Sequence, residues 1–305
     1  MKLDAELVEG YRRCAQLTRR YGTTYFWGAV LLPKPQRKHV HAVYALCRLA
    51  DDIIDLPDTH DAAAVEAQLT TFEESFRTAL VERGSDDPTM AAIVHTVVTC
   101  GIEPECFERF FGAMRMDLTV SSYRTWQDLC GYMEGSAAVI GEMMLPVLEP
   151  TSPKATAPAR SLGLAFQLTN FLRDVGEDLD RGRVYMPQED LERFGVDITL
   201  RRATPEWKAF LAYEIERNRA LYAFADTGIA MLPPRSARCV GTARVLYARI
   251  LDRIEAADYD VFSARARVPT WRKAGTAVRI LVAGPPKAAP VPLDEARRHV
   301  TSNAG

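Results

Sequence analysis

Residues 166–187 read FQLTNFLRDVGEDLDRGRVYMP, an apolar sequence that carries polar side chains at helical spacing. On a helix, one stripe over three turns would hold five of them: Gln167, Asn170, Asp174, Glu177 and Asp178. Asp174 and Asp178 stand one turn apart, where like charges repel. Because an uncompensated acidic pair inside an apolar helix costs stability, the pattern indicates that a cation binds there.

A second acidic helix face is predicted in the sequence YALCRLADDIID, which begins at Tyr44. Asp51 and Asp55 stand one turn apart, and Arg48 and Tyr44 precede them by one and two turns on the same face. Asp52 points about 100° away from Asp51 on a helix. We therefore expect Asp52 to face solvent or to accept a hydrogen bond, and not to share the role of Asp51.

The two acidic faces together predict a metal site. Mg²⁺ prefers carboxylate oxygens and is commonly shared between a few protein carboxylates and substrate phosphates, and Mn²⁺ is the alternative ion. The opposing interpretation is two solvated polar faces, since short acidic motifs recur by chance. Both clusters interrupt strongly apolar helices, and neither has a lysine four residues further on, which favours the metal site.

The remainder of the chain indicates an all-α protein. Apolar residues recur at intervals of three and four, as in residues 40–47 and 107–114, and alternating runs typical of strands are nearly absent. With boundary errors of about 2–4 residues, helices are predicted over 4–21, 36–55, 61–82, 88–99, 103–119, 125–148, 156–180, 205–231, 236–262 and 269–283. Short proline-containing connectors separate them, so we expect one helical domain over 1–284 and a flexible proline-rich tail over 285–305.

Composition excludes several classes of protein. The chain has 305 residues, 48 % hydrophobic and 26 % charged, as in ordinary globular proteins with a large core. The 38 basic and 40 acidic residues give a net charge of −2, which argues against a nucleic-acid partner. Six cysteines without a CxxC pair indicate free thiols in a reducing compartment. No signal peptide or membrane-spanning stretch is evident in the sequence, so we expect a cytoplasmic protein.

Four segments resemble the squalene/phytoene synthase family in sequence, order and spacing, over about residues 10–280. They are YALCRLADDIID (44–55), YMEGSAAVIGEMMLPVL (132–148), the 166–187 segment and YARILDRIEAADYDVF (247–262). The sequences of these segments are most similar to those of bacterial phytoene synthases. The resemblance implies a single-domain isoprenoid synthase fold, a helical bundle around a central active-site cavity, in which Mg²⁺ ions bridge substrate diphosphate to the two acidic helices.

The resemblance also implies roles for individual residues. Metal-binding and catalytic positions of the family match Asp51, Asp55, Asp174 and Asp178, with Asn170 as a further metal ligand and Tyr132 as a catalytic residue. Polar site residues of the family match Gln167 and Asn170, and residues near the diphosphates match Arg48 and Tyr185. Arg181 and Arg183 follow the second acidic helix closely enough to reach what its metals hold, and Tyr44 and Tyr247, in the motif segments, complete the expected substrate-binding set. For Arg181 and Arg183 the alternative is simple capping of the preceding helix. For Tyr44, Phe26, Phe166 and Phe171 the alternative to stabilising a carbocation is core packing.

Two departures from the family pattern stand out. Before the first acidic helix the family usually has His-Ser-Lys-Ser/Thr-Phe, whereas this chain has Tyr-Gly-Thr-Thr-Tyr over residues 21–25. The second departure is Glu134, at a position where the family usually has an aromatic residue. The small residues of the same segment (Gly135, Ser136, Ala137, Ala138 and Gly141) lower helix propensity. We interpret them as room left for a substrate chain.

The activity that the resemblance implies is head-to-head condensation of two geranylgeranyl diphosphates, through prephytoene diphosphate, to phytoene in carotenoid biosynthesis, with release of two diphosphates. No GxGxxG follows a strand, so no NADPH is expected. One alternative is a C30 enzyme that makes presqualene diphosphate, squalene or dehydrosqualene from farnesyl diphosphate. Another is a catalytically inactive helical scaffold of the same fold. The waxy product is compatible with a peripheral membrane contact, and the oligomeric state stays open.

Overall fold

The computed structural model describes residues 5–55, 61–266 and 269–285. Within these ranges the chain is helical and forms no strand, and its one β-type pairing is an isolated bridge between Ser122 and Val184. The predicted all-α class is confirmed. Apart from Pro285, the proline-rich tail lies outside the described residues, so the division into domain and tail stays a prediction. No helix in the described ranges is long and apolar enough to cross a membrane.

Thirteen α-helices follow one another in the described ranges. They are α1 Ala5–Tyr21, α2 Thr23–Ala29, α3 Lys34–Asp55, α4 Ala62–Glu82, α5 Pro88–Cys100, α6 Pro104–Met116, α7 Trp126–Met133, α8 Val139–Leu148, α9 Thr156–Asp180, α10 Gln188–Phe194, α11 Pro205–Ile229, α12 Pro234–Ala256 and α13 Thr270–Ala283. A π-helical turn, Glu134–Ala138, joins α7 to α8.

Local signals explain most helix ends. Helix α5 begins where the Asp87 carboxylate accepts a 2.7 Å hydrogen bond from the Met90 amide, and it ends at Gly101, whose φ of 66° suits glycine. The predicted helix over 236–262 is too long, because the chain leaves α12 through Asp258 and Tyr259, both at positive φ. Helices α2 and α10 were not predicted, since seven residues give too short a periodic pattern.

The two acidic helices belong to different parts of the core. One apolar cluster packs side chains of α1, α3, α4, α5, α6 and α8, while a second packs side chains of α7, α9, α10, α11 and α12. Helix α3 therefore lies in the first cluster and α9 in the second. The cavity described below lies between these two helices.

Close packing accounts for the small residues around the π-helical turn. A Cβ on Gly135 would lie 2.4 Å from the carbonyl oxygen of Arg109, and a Cβ on Gly141 would lie 2.3 Å from that of Ala159. These two glycines thus let α6 and α9 approach. Gly135 does not line the cavity, so the interpretation that it leaves room for a substrate is wrong, whereas Gly141 both packs against α9 and lines the cavity. Ser136 and Ala137 do line the cavity, whereas Ala138 does not.

Glu134 takes part in an ion-pair network on the other side of the π-helical turn. Its carboxylate lies 2.6 Å from Arg109 and 3.2 Å from Arg160. Both arginines also pair with Glu142 of α8. The departure from the family pattern at Glu134 therefore joins α6, α8 and α9 through charge-assisted hydrogen bonds.

Candidate active site

A cavity of about 1060 Å³ lies between α3 and α9. It is lined along α3 from Val40 to Asp55 and along α9 from Pro158 to Asp178. At 1.5 Å per residue these stretches measure about 22 Å and about 30 Å. The carboxylates stand at the C-terminal ends of both helices, and the earlier turns present mainly apolar side chains. The cavity therefore has a charged mouth and a long apolar interior.

On α3, the structure brings Asp51 and Asp55 into the cavity mouth and leaves Asp52 out of its lining. Asp52 instead accepts a hydrogen bond from Arg48, as one of the two outcomes expected for it. The Arg48 guanidinium lies over the ring of Tyr21 at 4.4 Å from its centroid. Arg48 itself lines the cavity, so it reaches the mouth with a carboxylate and an aromatic ring already bound.

On α9, all five residues of the predicted polar stripe line the cavity. Asn170 donates from Nδ2 to Oε1 of Gln167 at 3.5 Å, the long limit of a hydrogen bond. Its own Oδ1 is buried and has no hydrogen-bond partner among the described residues. A buried acceptor without a partner costs free energy, which indicates that Asn170 is placed for a ligand.

The four principal carboxylates fall into two kinds. Asp55 and Asp174 are held by arginines: Asp55 by Arg183 at 3.1 Å, and Asp174 by the neighbouring Arg173 at 2.5 Å and by Arg265 at 2.7 Å. Within the described residues no cationic side chain lies within 4 Å of Asp51 or Asp178. Each acidic helix thus offers one carboxylate paired with arginine and one without such a partner.

Burial and like charge act on the unpaired carboxylates. Burial, together with the neighbouring Asp55, raises the pKa of Asp51 to about 7. Burial, together with Asp174, raises the pKa of Asp178 to about 7. Both shifts show that the negative charges at this mouth lack sufficient compensation from the protein alone.

The loop after α9 reaches across the mouth. Arg183 donates to Oδ1 of Asp55 on α3 and, at 3.3 Å, to the carbonyl oxygen of Asp117, while Arg181 lies 3.4 Å from Asp55. The α9 carbonyl of Asp178 is bound by the backbone amide of Arg183, at 2.8 Å, and not by its side chain. The guanidinium groups are therefore directed at the cavity, in contrast to side-chain capping of α9.

Asp117 was not predicted from the sequence. It follows α6 directly and accepts hydrogen bonds from the hydroxyls of Tyr132, at 2.7 Å, and Tyr185, at 3.0 Å. Burial raises the pKa of Asp117, although both tyrosines oppose this shift. Its signal was an acidic residue at a helix C-terminus after an apolar run, where the helix dipole disfavours negative charge. Phe171 stacks on Tyr185 at 4.0 Å and extends this aromatic wall.

A second aromatic group lies deeper along the cavity. The rings of Phe166 and Tyr247 have centroids 4.4 Å apart, and Tyr25 lies 5.3 Å from Tyr247 and 5.8 Å from Tyr44. Tyr25 was not predicted as a site residue. Phe26 does not line the cavity and stacks against His41 at 5.9 Å, so for this residue the packing alternative holds.

The departure from the family pattern over residues 21–25 also has a structural reason. A Cβ at Gly22 would lie 2.6 Å from the ring of Tyr44, so glycine allows this ring to approach the backbone. Thr23 accepts a 2.5 Å hydrogen bond from Lys273, a residue of α13 that lines the cavity. Arg20, Arg173, Arg265 and Lys273 are further basic lining residues that sequence analysis did not single out.

The sequence model of the squalene/phytoene synthase family matches residues 18–272. The chain belongs to the squalene/phytoene synthase family. A similar member is the 15-cis-phytoene synthase of Synechococcus elongatus, 36 % identical over 284 residues, with 88 % of this chain and 91 % of that protein covered. The resemblance predicted from the four segments is confirmed.

Solved structures of the family are similar to this chain in fold. A dehydrosqualene synthase in complex with a ligand superposes with a TM-score of 0.83 and 26 % identity, over 91 % of this chain and 97 % of that one. The squalene synthase of Alicyclobacillus acidocaldarius superposes with a TM-score of 0.76 and 31 % identity, over 85 % and 97 %. The expected all-α fold of this family is confirmed, with the helices arranged around a central cavity.

The metal that the squalene/phytoene synthase family implies can be tested against the donors present. Among the described residues, no group of three His, Cys, Asp or Glu side chains is assembled to hold an ion alone. The available donors are oxygens on both helices. Within the described part of the chain the Oδ1 atom of Asn170 has no hydrogen-bond partner, and the carboxylates of Asp51 and Asp178 have no cationic side chain within 4 Å. Such a divided set of hard oxygen ligands fits Mg²⁺ that is shared with a substrate phosphate.

Proposed function

We propose that this protein is a Mg²⁺-dependent prenyltransferase that condenses two geranylgeranyl diphosphates head to head, through prephytoene diphosphate, to phytoene and two diphosphates. The observation that carries the proposal is one continuous cavity with a charged mouth and a long apolar interior. The 36 % sequence identity to a 15-cis-phytoene synthase, over most of both chains, supports the proposal.

The mouth has the charges that a metal-bound diphosphate requires. Carboxylates repel diphosphate, so those on α3 and α9 contribute to binding only through a bridging cation. We assign this role to Asp51, Asp55, Asn170, Asp174 and Asp178, with Mn²⁺ as an alternative to Mg²⁺. When bound, the ions act as Lewis acids on the departing diphosphate, a contribution of several kcal/mol.

Basic residues complete the anion site. Arg183 is bound to Asp55, and Arg173 and Arg265 are bound to Asp174. We propose that these guanidinium groups donate to the diphosphate oxygens once cations neutralise the two carboxylates. Arginine suits this exchange because its planar donors match carboxylate and phosphate equally well.

The interior protects the carbocation left by ionisation. Its walls are apolar or aromatic, and water is the nucleophile that they must exclude. The rings of Tyr132, Phe171, Phe166 and Tyr247 line it, and each face can stabilise a cation by about 0.5–2 kcal/mol. Asp117 holds the hydroxyls of Tyr132 and Tyr185, which fixes these two rings at the boundary between mouth and interior.

The cavity is larger than one small ligand requires, which supports two long chains as its ligands. Drug-sized ligands occupy pockets of about 300–1,000 Å³, and this cavity, at about 1060 Å³, lies just above that range. In the proposed reaction the C1 atom of the ionised substrate bonds to the 2,3 double bond of the second substrate, and closure to a cyclopropane releases a proton. After the second ionisation and rearrangement, loss of another proton yields phytoene, without a hydride from NADPH.

The C30 reaction is the second candidate, because both solved structures above are named for C30 synthases. Purified protein should be incubated with Mg²⁺ and either geranylgeranyl or farnesyl diphosphate, with and without NADPH, and the extract analysed by mass spectrometry. A C40 hydrocarbon independent of NADPH supports the proposal. A C30 product formed in preference identifies the second candidate. If neither substrate gives a product, the remaining alternative is a catalytically inactive scaffold of the same fold.

A further inference from the structure

Helix α13 turns four of its five large apolar side chains toward solvent, and only Ile280 is buried. These residues form the α13 apolar face, with exposed fractions of 70 % for Trp271, 62 % for Val278, 51 % for Leu281 and 82 % for Val282. The residues that this helix buries against the bundle are Thr276, Ala277 and Ile280. A surface helix normally buries its more apolar side, so α13 has the reverse orientation.

The concentration on one helix distinguishes this face. Other exposed large apolar residues of the described chain, such as Val81, Val98 and Leu200, lie singly on different elements. Isolated exposures of that kind are normal in globular proteins, whereas a contiguous set marks an interaction site. Spacings of seven and four residues place Trp271, Val278 and Val282 on one line along α13.

Basic side chains flank the α13 apolar face. The helix carries Arg272, Lys273 and Arg279 and contains no acidic residue. Arg272 and Arg279 each follow a residue of the apolar line, about 100° further around the helix. Gly275, on the same side as the apolar line, has no atom within 4 Å of a Cβ built on it, so no part of the described bundle covers the surface there.

The helix also adjoins the cavity. It packs against α2 and α12, and its Lys273 lines the cavity and donates to Thr23 of α2. Pro269, directly before the helix, lines the cavity as well. A surface that binds the α13 apolar face would therefore lie beside the cavity.

We infer that the α13 apolar face docks the protein onto an anionic lipid bilayer. Trp271, Val278 and Val282 enter the boundary between head groups and acyl chains, and Arg272 and Arg279 contact lipid phosphates. An apolar stripe with tryptophan, flanked by cations and free of acids, is the pattern of helices that lie in a membrane interface. Its charge is complementary to an anionic leaflet, which favours a bilayer over a second copy of this chain.

Vesicle flotation of the full chain tests this inference. We expect partitioning onto phosphatidylcholine vesicles that contain phosphatidylglycerol to exceed that onto pure phosphatidylcholine at least tenfold. Trp271→Ser/Val282→Ser should lower partitioning at least tenfold, and Arg272→Glu/Arg279→Glu should remove the preference for anionic lipid. Val81→Ser/Val98→Ser is the matched control, since these valines are exposed elsewhere, and it should bind like the native protein.

Folding and catalysis are monitored separately. All variants should keep the native melting temperature and the native turnover of detergent-dispersed substrate, so a failure of the proposed reaction would not affect the binding result. Native protein that binds neither vesicle, or a Trp271→Ser/Val282→Ser variant that binds like the control, would overturn the inference. So would light scattering that shows a dimer which the same double variant dissociates, because a second copy would then cover this face.

Discussion

Arg183, in the loop after α9, binds Asp55 of α3 with 3.1 Å between Nη1 and Oδ1. This pair joins the two acidic helices across the cavity mouth. A cation and a diphosphate that entered there would meet a carboxylate and a guanidinium that already neutralise each other. The pair joins α3 to the loop after α9. In the proposed reaction its two members would separate, Asp55 to bind a cation and Arg183 to bind the diphosphate.

Arg183→Ala should impair catalysis far more than stability. If the guanidinium contacts diphosphate, kcat/KM should fall tenfold or more, which corresponds to about 1.4 kcal/mol or greater. Arg124→Ala is the matched control, since Arg124 also pairs with a carboxylate, Glu192, but on the exposed surface. Steady-state kinetics and thermal melts distinguish the outcomes. Unchanged kinetics with a small loss of stability would remove Arg183 from the substrate site.

Asp51→Asn and Asp174→Asn should each lower turnover by orders of magnitude, because each removes a proposed metal ligand. Their effects on stability should differ. Asp51→Asn relieves a half-buried charge without a cationic partner, whereas Asp174→Asn leaves Arg173 without its carboxylate and Arg265 with Glu177 alone.

Asp52→Asn is the internal comparison for these two variants. Asp52 binds Arg48 and does not line the cavity, so we expect a smaller loss of turnover. Mg²⁺-dependent assays with circular dichroism as a folding control would measure this. Near-native activity of Asp51→Asn would contradict the assignment, as would an equal loss in Asp52→Asn.

The contribution of Asp51 and Asp178 to the stability of the metal-free protein should fall as pH rises from about 4 to about 7. In the unfolded chain an aspartate titrates near pH 3.9, whereas the pKa values of folded Asp51 and Asp178 are raised to about 7. Across this window the folded state binds more protons, so increasing pH favours unfolding. Above about pH 7 the penalty is complete.

Melting temperatures with chelator at pH 5 and pH 8 measure this effect. Asp178→Asn should be stabilised relative to native protein more strongly at pH 8 than at pH 5. Mg²⁺ should raise the melting temperature of native protein at pH 8 and do so less in the variant, since bound ligand stabilises the folded state. If the gain in melting temperature of Asp178→Asn is the same at both pH values, the pKa of Asp178 is not raised.

Ala137→Phe and Ala138→Phe should separate cavity size from core packing. Ala137 lines the cavity, so a phenylalanine there should reduce the use of C20 substrate relative to C15 and change the melting temperature little. Ala138 is buried outside the cavity lining, next to Gly163, where overpacking costs about 1–3 kcal/mol. Product analysis and thermal melts on both variants check this. Equal melting temperatures with unchanged products would contradict it.

The sequence allowed the prediction of those parts of the site whose residues lie on one helix. Asp51 with Asp55, and Gln167 through Asp178, are brought together by the helical repeat alone, so their spacing reveals their common face. Asp117 and Tyr25 could not be found in this way, because only tertiary packing brings them to the cavity. Their partners Tyr132, Tyr185 and Tyr247 are distant in sequence.

The π-helical turn was missed for a related reason. A helix over 125–148 satisfies the local pattern, and the turn at 134–138 depends on neighbours that the local sequence does not contain. Gly135 packs against the α6 backbone, and Glu134 forms ion pairs with Arg109 and Arg160. Because these contacts are long-range, the same local sequence is compatible with an unbroken α-helix.

Helix α3 packs in one apolar cluster and α9 in the other, so a ligand bound by both acidic faces would link the two halves of the core. Two diphosphate substrates can bind both helices in this way, whereas a hydrocarbon product, which carries no phosphate, cannot. Each catalytic cycle would therefore end with α3 and the loop after α9 joined only by protein contacts, among them the pair of Arg183 with Asp55. Formation of the water-insoluble product would thus coincide with the loss of every ligand contact to the acidic side chains.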